Sequence, residues 1–75
     1  MLQRQKNIDA IKALNPFDKK PYNINWSEGG GGEVYRIWDT FFLFEIPQYG
    51  GEGYFMGSFS INELDDLINE AESRT

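Results

Sequence analysis

The chain is predicted to fold as an α+β domain, a small antiparallel sheet flanked by two helices. Three observations carry this expectation. Eleven of the twelve aromatic residues and all eight glycines lie between Tyr22 and Phe59. The segments on either side contain no glycine and space their apolar residues as helices do. Inside the block, apolar and polar residues alternate between clusters of turn-forming residues, the mark of short strands.

The first helix is expected within residues 3–14, where Ile8, Ile11 and Leu14 share one face. Asn7 has the side chain of an N-cap, which would start the ordered helix near Ile8. Asn15-Pro16 is a stop, because proline disfavours helical geometry in the residue before it. The connector that follows holds two prolines and the run Asp18-Lys19-Lys20, and the Phe17 ring is expected beneath it.

Tyr22, Ile24 and Trp26 alternate with Asn23, Asn25 and Ser27, which reads as a half-buried strand. Residues 29–32 are four consecutive glycines and read as a flexible hairpin loop. Residues 34–46 admit one bulged strand or two strands, 33–38 and 41–46, turning at Asp39-Thr40. Thirteen residues exceed the usual strand of about 5–6, so two strands are preferred. The turn chemistry argues the other way, since Asp-Thr is a poor substitute for Asn-Gly or Asp-Gly. Pro47 ends the pairing, residues 48–53 form the next turn, and 54–59 make a last strand loosened by Gly57.

The closing segment is the most legible. Ser60-Ile61-Asn62-Glu63 fits a capping box, in which Ser and Glu side chains satisfy orphan backbone donors. Ile61, Leu64, Leu67, Ile68 and Ala71 then fall within an arc of roughly 120°. Glu63, Asp66 and Glu70 lie opposite, and Glu70 precedes Arg74 by four residues, the favourable order. A helix over about 61–73 follows. The whole reads as a single domain, 1–75, with a meander of three to four strands over 22–59 and the order α-β-β-β-β-α.

Size and composition bound the function. A domain of 75 residues buries only about 60–65% of its unfolded surface, so its core is marginal. There is no Cys for a disulfide and no His for the usual zinc sets. Dense aromatic packing and self-association are the remaining remedies. The longest apolar run is 41–44, far short of a membrane span, and no run of signal-peptide length stands near the start. A cytoplasmic protein with no membrane association is expected. Charge is uneven, with five cations against two acids in 1–21 and two against ten in 22–75. That acidic balance disfavours nucleic acid as a partner.

Candidate sites are few. The glycine run lacks the Lys-Ser/Thr of a phosphate loop, is flanked by Glu28 and Glu33, and leads into a strand. Two carboxylates repel phosphate, though they could offer oxygens to a weak Ca²⁺ site. Glu45 stands among Phe44, Ile46 and Pro47, but without a visible partner for acid–base work. Nucleophilic catalysis lacks its parts, since the serines have no His to serve as base. No enzyme and no cofactor are expected.

What remains is the surplus of rings. A meander has two faces and two short helices cover one of them. Tyr35, Trp38, Phe41, Phe42, Phe44, Tyr54 and Phe55 cannot all lie beneath the helices. An exposed aromatic sheet face would bind a protein partner, or a second copy in a homodimer. Tyr35, Trp38, Phe42, Tyr49 and Tyr54 are the candidate contacts, as Tyr and Trp are the usual interface anchors. The alternative is an acidic inhibitor of the phage or mobile-element kind, whose last helix imitates DNA phosphates with Glu63, Asp66 and Glu70. In composition alone, the glycine run, the Trp-containing strand and the acidic helix resemble small toxin-immunity and phage-encoded accessory proteins.

Overall fold

The structure, a computed structural model, describes residues 2–25 and 30–73. Helix α1 spans Leu2–Lys12, and four strands follow: β1 Tyr22–Asn25, β2 Gly31–Ile37, β3 Thr40–Ile46 and β4 Tyr54–Ser60. A 3-10 turn over Ile61–Glu63 leads into helix α2, Leu64–Glu72. The order is α-β-β-β-β-α, and the four strands pair as an antiparallel meander, β1-β2-β3-β4. The molecule is only 17 Å thick in its shortest dimension, which admits one sheet and one helical layer. Both helices therefore pack on the same side of the sheet.

Alternation along the strands decides what the helices cover. Val34 on β2 is paired with Leu43 on β3, and Arg36 with Phe41. Val34, Leu43 and Phe41 are fully buried, with Ile24 of β1 beside them. From above, α2 contributes Leu64, Leu67, Ile68 and Ala71, and α1 contributes Ile8 and Ile11. Phe41 is thus the one ring of the central strands committed entirely to the core, worth about 3–5 kcal/mol against alanine at such a site.

The ends of α1 are built differently from the sequence expectation. Asn7 is not an N-cap: it lies inside the helix, buried, and its Oδ1 accepts the Tyr22 hydroxyl at 2.6 Å. The chain continues helical before it because Arg4 anchors the first turns to α2, donating to Glu72 at 2.9 Å and to the Asp65 carbonyl at 3.2 Å. Asn15 Oδ1 accepts the Phe17 amide at 2.8 Å, an Asx turn that redirects the chain at Pro16. Phe17 is not tucked under this connector. Its ring is 71% exposed, because the turn points it outward against Trp38.

The glycine run is also re-read. Gly31 and Gly32 are buried residues of β2 rather than loop, paired with Asn25 and Ile24. A Cβ on Gly31 would stand 2.6 Å from the Ile24 carbonyl oxygen. Main-chain approach, not flexibility, is what requires glycine there. Trp26, expected at the end of the first strand, lies outside the described residues, as do Ser27, Glu28 and Gly29.

Residues 34–46 form two strands, but the turn falls at Trp38-Asp39, one residue earlier than the expected Asp39-Thr40. Ile37 pairs with Thr40 across it. Trp38 takes φ +55°, and Asp39 does not share the positive sign. That is the sign pattern of a type II′ turn, where glycine usually sits at the first position. The tertiary structure supplies what the residue type does not, through the bonds that Pro16 and Arg36 make to the Trp38 main chain.

The last helix begins with a 3-10 turn, so α2 proper starts at Leu64 rather than near Ile61. Glu63 Oε1 accepts the Ser60 amide at 2.8 Å, the glutamate half of the capping box. Tight winding over Ile61–Glu63 rotates Ile61 off the buried stripe and leaves it exposed. No helix of the described residues is long and apolar enough to cross a membrane.

Candidate protein-contact surface

The face of the sheet turned away from the helices is aromatic. Register places Tyr35 opposite Phe42, Glu33 opposite Phe44, and Phe44 opposite Phe55, all on this open side. The rings pack on one another. Tyr35 meets Phe44 edge to face at 5.7 Å between centroids, Phe44 meets Phe55 at 5.5 Å, and Phe42 meets Phe55 at 6.5 Å. Each such pair is worth about 0.5–1.5 kcal/mol beyond its burial, so the rings hold each other in place.

A bulge lets β4 join this face. Leu43 is opposite Gly57 and Phe44 opposite Phe55, so Met56 is the extra residue. Gly57 takes φ +146°, a backbone conformation that other residues rarely adopt. The sequence signal was the glycine inside a strand pattern; its effect is to swing Phe55 onto the open side.

At one end of the face the chain builds a second aromatic pair. Phe17 and Trp38 meet edge to face at 5.0 Å. The Trp38 amide donates to the Pro16 carbonyl at 3.4 Å, and its own carbonyl accepts Arg36 Nε at 2.6 Å. These contacts hold a bulky residue in left-handed geometry, a strain of about 1 kcal/mol or more. Both rings stay open to solvent, with Trp38 67% exposed. Between Phe17 and the rings of the face lies an open concavity of about 690 Å³, lined by Tyr35, Ile37, Phe42 and Phe44 and, from the connector, by Asp18 and Lys19.

Arg36, the sole cation of the aromatic block, is structural. Its guanidinium donates to the Lys12 carbonyl at 3.2 Å and the Leu14 carbonyl at 2.9 Å, closing the C-terminus of α1. It also lies 5.1 Å over the Phe41 ring and 3.6 Å from Asp39. Most of its hydrogen-bonding capacity is thereby spent within the fold.

The expected contact residues divide. Tyr35 and Phe42 stand together on the open face, and Trp38 at its end. Tyr49 is 94% exposed in the β3–β4 loop, at the opposite end of the sheet from Trp38. Tyr54 is exposed but opposite Glu45, on the side that carries Leu43. It does not join the aromatic face. Phe44, Phe55, Ile37 and Phe17 complete the surface and were not singled out as contacts. The signal for Phe44 and Ile37 was available, since both alternate in step with residues already chosen. Phe55 was hidden by the bulge.

Burial and the neighbouring Glu33 carboxylate push the Tyr35 phenol above its ordinary range, burial having the larger effect. The phenol also donates to Glu33 Oε1, at 3.4 Å. Glu45 lies half-buried on β3 opposite Gly32, on the helix side. No group of three or more metal-ligating side chains occurs among the described residues.

Of the acids proposed as phosphate mimics, Glu63 is occupied by the Ser60 amide. Asp66 is exposed on α2 and Glu70 is half-buried one turn on. Asp65 and Glu72, the other acids of the helix, face Arg4 at 3.4 and 2.9 Å. Compared with protein-family models, curated proteins and solved structures, the chain matches none.

Proposed function

We propose that the protein is a small, non-enzymatic interaction module of the cytoplasm, whose open aromatic sheet face binds protein, either a partner or itself. The observation that carries this reading is the contiguity of Tyr35, Phe42, Phe44 and Phe55 on the side opposite both helices. Single exposed apolar residues are ordinary, but a joined aromatic patch of several rings is a contact surface. Ring-on-ring packing also lowers the entropy lost on binding, because the anchors are already ordered. Phe17, Ile37 and Trp38 extend the patch at one end. The acidic outer face of α2 is read as a solvated face, since Glu63 caps the helix and Arg4 faces two of its neighbours.

A photo-crosslinking residue tests the reading. Placed at Ile37, on the open face, it should form adducts with protein, either a second copy or another chain. Placed at Asn69, exposed on α2 on the other side of the sheet, it should not. Equal adduct formation at the two positions, or none at Ile37, would overturn the reading.

A further inference from the structure

Resting on the reading of the open face as a contact surface, we propose that its occupant is a second copy of this chain, packed face to face with strand directions reversed. Charge is unevenly spread along the strands. At the Trp38 end, Asp18 and Lys19 both line the concavity, and Lys20, exposed, follows them. Arg36 and Asp39 at this end pair with each other. The excess is positive. Glu33 stands on the open face about 13 Å away along β2, at 3.3 Å per residue from Ile37. Glu52 is exposed in the loop beyond it. Among the described residues, 22–25, 30–34 and 44–55 build that end and contain no Lys or Arg. The excess there is negative.

Such a face is complementary to itself in one orientation only. A two-fold axis lying in the interface, perpendicular to the strands, sets the Lys19 end of each copy over the Glu33 end of the other. Every favourable pairing is then made twice, as an isologous contact requires. The opposite orientation would stack Lys19 on Lys19 and Glu33 on Glu33.

Area agrees. Phe17, Trp38 and Phe55 are 71%, 67% and 60% exposed, and Ile37 58%. At about 150–250 Å² per aromatic side chain, the three rings alone offer roughly 400 Å² of apolar surface. Ile37 and the half-buried Tyr35, Phe42 and Phe44 add to it. With the charged rim, the face approaches the roughly 800 Å² per partner of a standard interface. A chain with no cysteine and a marginal core gains stability from that burial.

Sedimentation equilibrium of the purified protein is the test, over a concentration series at low and moderate salt. The wild type is expected to be a dimer that weakens as salt rises. Lys19→Glu and Glu33→Lys should each raise the dissociation constant about tenfold or more, since each reversal converts two attractions to repulsions. The double variant K19E/E33K should return it to near the wild-type value. Ile37→Asp, at an exposed position, should give a monomer with an unchanged far-ultraviolet circular dichroism spectrum. A wild type that stays monomeric to about 1 mM overturns the proposal, as does a dimer indifferent to both reversals. Reversals that weaken the dimer without rescue in the double variant overturn the antiparallel orientation. Crosslinks from Ile37 to a different chain, with a monomeric purified protein, would remove the second copy and leave the contact surface standing. A monomer with no crosslink at all would remove both.

Discussion

Tyr22 donates its phenolic proton to Oδ1 of Asn7 at 2.6 Å, a bond from the first strand to the middle of the first helix. Asn7 is buried, so its amide has no water to fall back on. Tyr22→Phe is expected to cost about 1–3 kcal/mol, because it strands a buried acceptor rather than removing a bond symmetrically. Urea denaturation measures this. A double variant, Tyr22→Phe with Asn7→Leu, should lose less than the two single changes added together.

Arg36 joins β2 to the end of α1. Arg36→Met keeps much of the side-chain bulk but frees the Lys12 and Leu14 carbonyls. A loss of about 2 kcal/mol is expected, with Arg36→Lys recovering little of it. A lysine cannot span two carbonyls and lie flat over Phe41 at once. Full rescue by lysine in a thermal melt would contradict this account.

Gly31→Ala drives a Cβ to within 2.6 Å of a main-chain oxygen of β1, and neither strand is free to retreat. The β1–β2 pairing should open, at a cost of about 2 kcal/mol or more. Gly51→Ala is the control. It meets nothing within 4 Å but sits at φ +100°, so only backbone strain of about 1 kcal/mol is expected. Amide hydrogen exchange should show the difference as loss of protection confined to β1 and β2 in the first variant.

Trp38→Gly trades two effects of similar size. The left-handed strain at φ +55° is relieved, and the edge-to-face contact with Phe17 is lost. Net stability should stay within about 1 kcal/mol of wild type. A loss of several kcal/mol in the melt would mean that Trp38 belongs to the core rather than to an exposed surface.

Tyr35 gives the fold a dependence on alkaline pH. Its folded pKa is raised, so the folded state holds this proton more tightly than the unfolded chain does. The contribution is complete below the unfolded value of about 10 and is lost as pH rises through the folded one. Stability should therefore fall in that window, and Tyr35→Phe should make the fall shallower. Denaturation midpoints taken from pH 8 to pH 11 provide the comparison.

Much of this fold was legible because local patterns and tertiary demands agree. Leu64, Leu67, Ile68 and Ala71 fall on one helical stripe, and the same stripe is buried. Val34 and Leu43 alternate with Tyr35 and Phe42, and the alternation separates core from open face. The misreadings occur where a distant partner overrides a local rule. Asn7 looked like a cap until Tyr22 claimed it. Trp38 is no turn former, but Pro16, Phe17 and Arg36 hold it in one. Phe55 reaches the open face only through the bulge at Gly57.

Taken alone, the sequence determined the element order, the helical stripe of α2 and the existence of more rings than two helices can bury. These follow from periodicity and composition, which act over a few residues. Only the tertiary structure decided which rings form the surplus. Facing depends on strand register, and register is settled by contacts across the sheet: the bulge beside Leu43 and Phe44, the close approach of Gly31 to Ile24, and the anchoring of the Trp38 turn. Shifting a strand by one residue exchanges its two faces, so no count of aromatics could have selected Phe41 for the core and Phe42 for the surface.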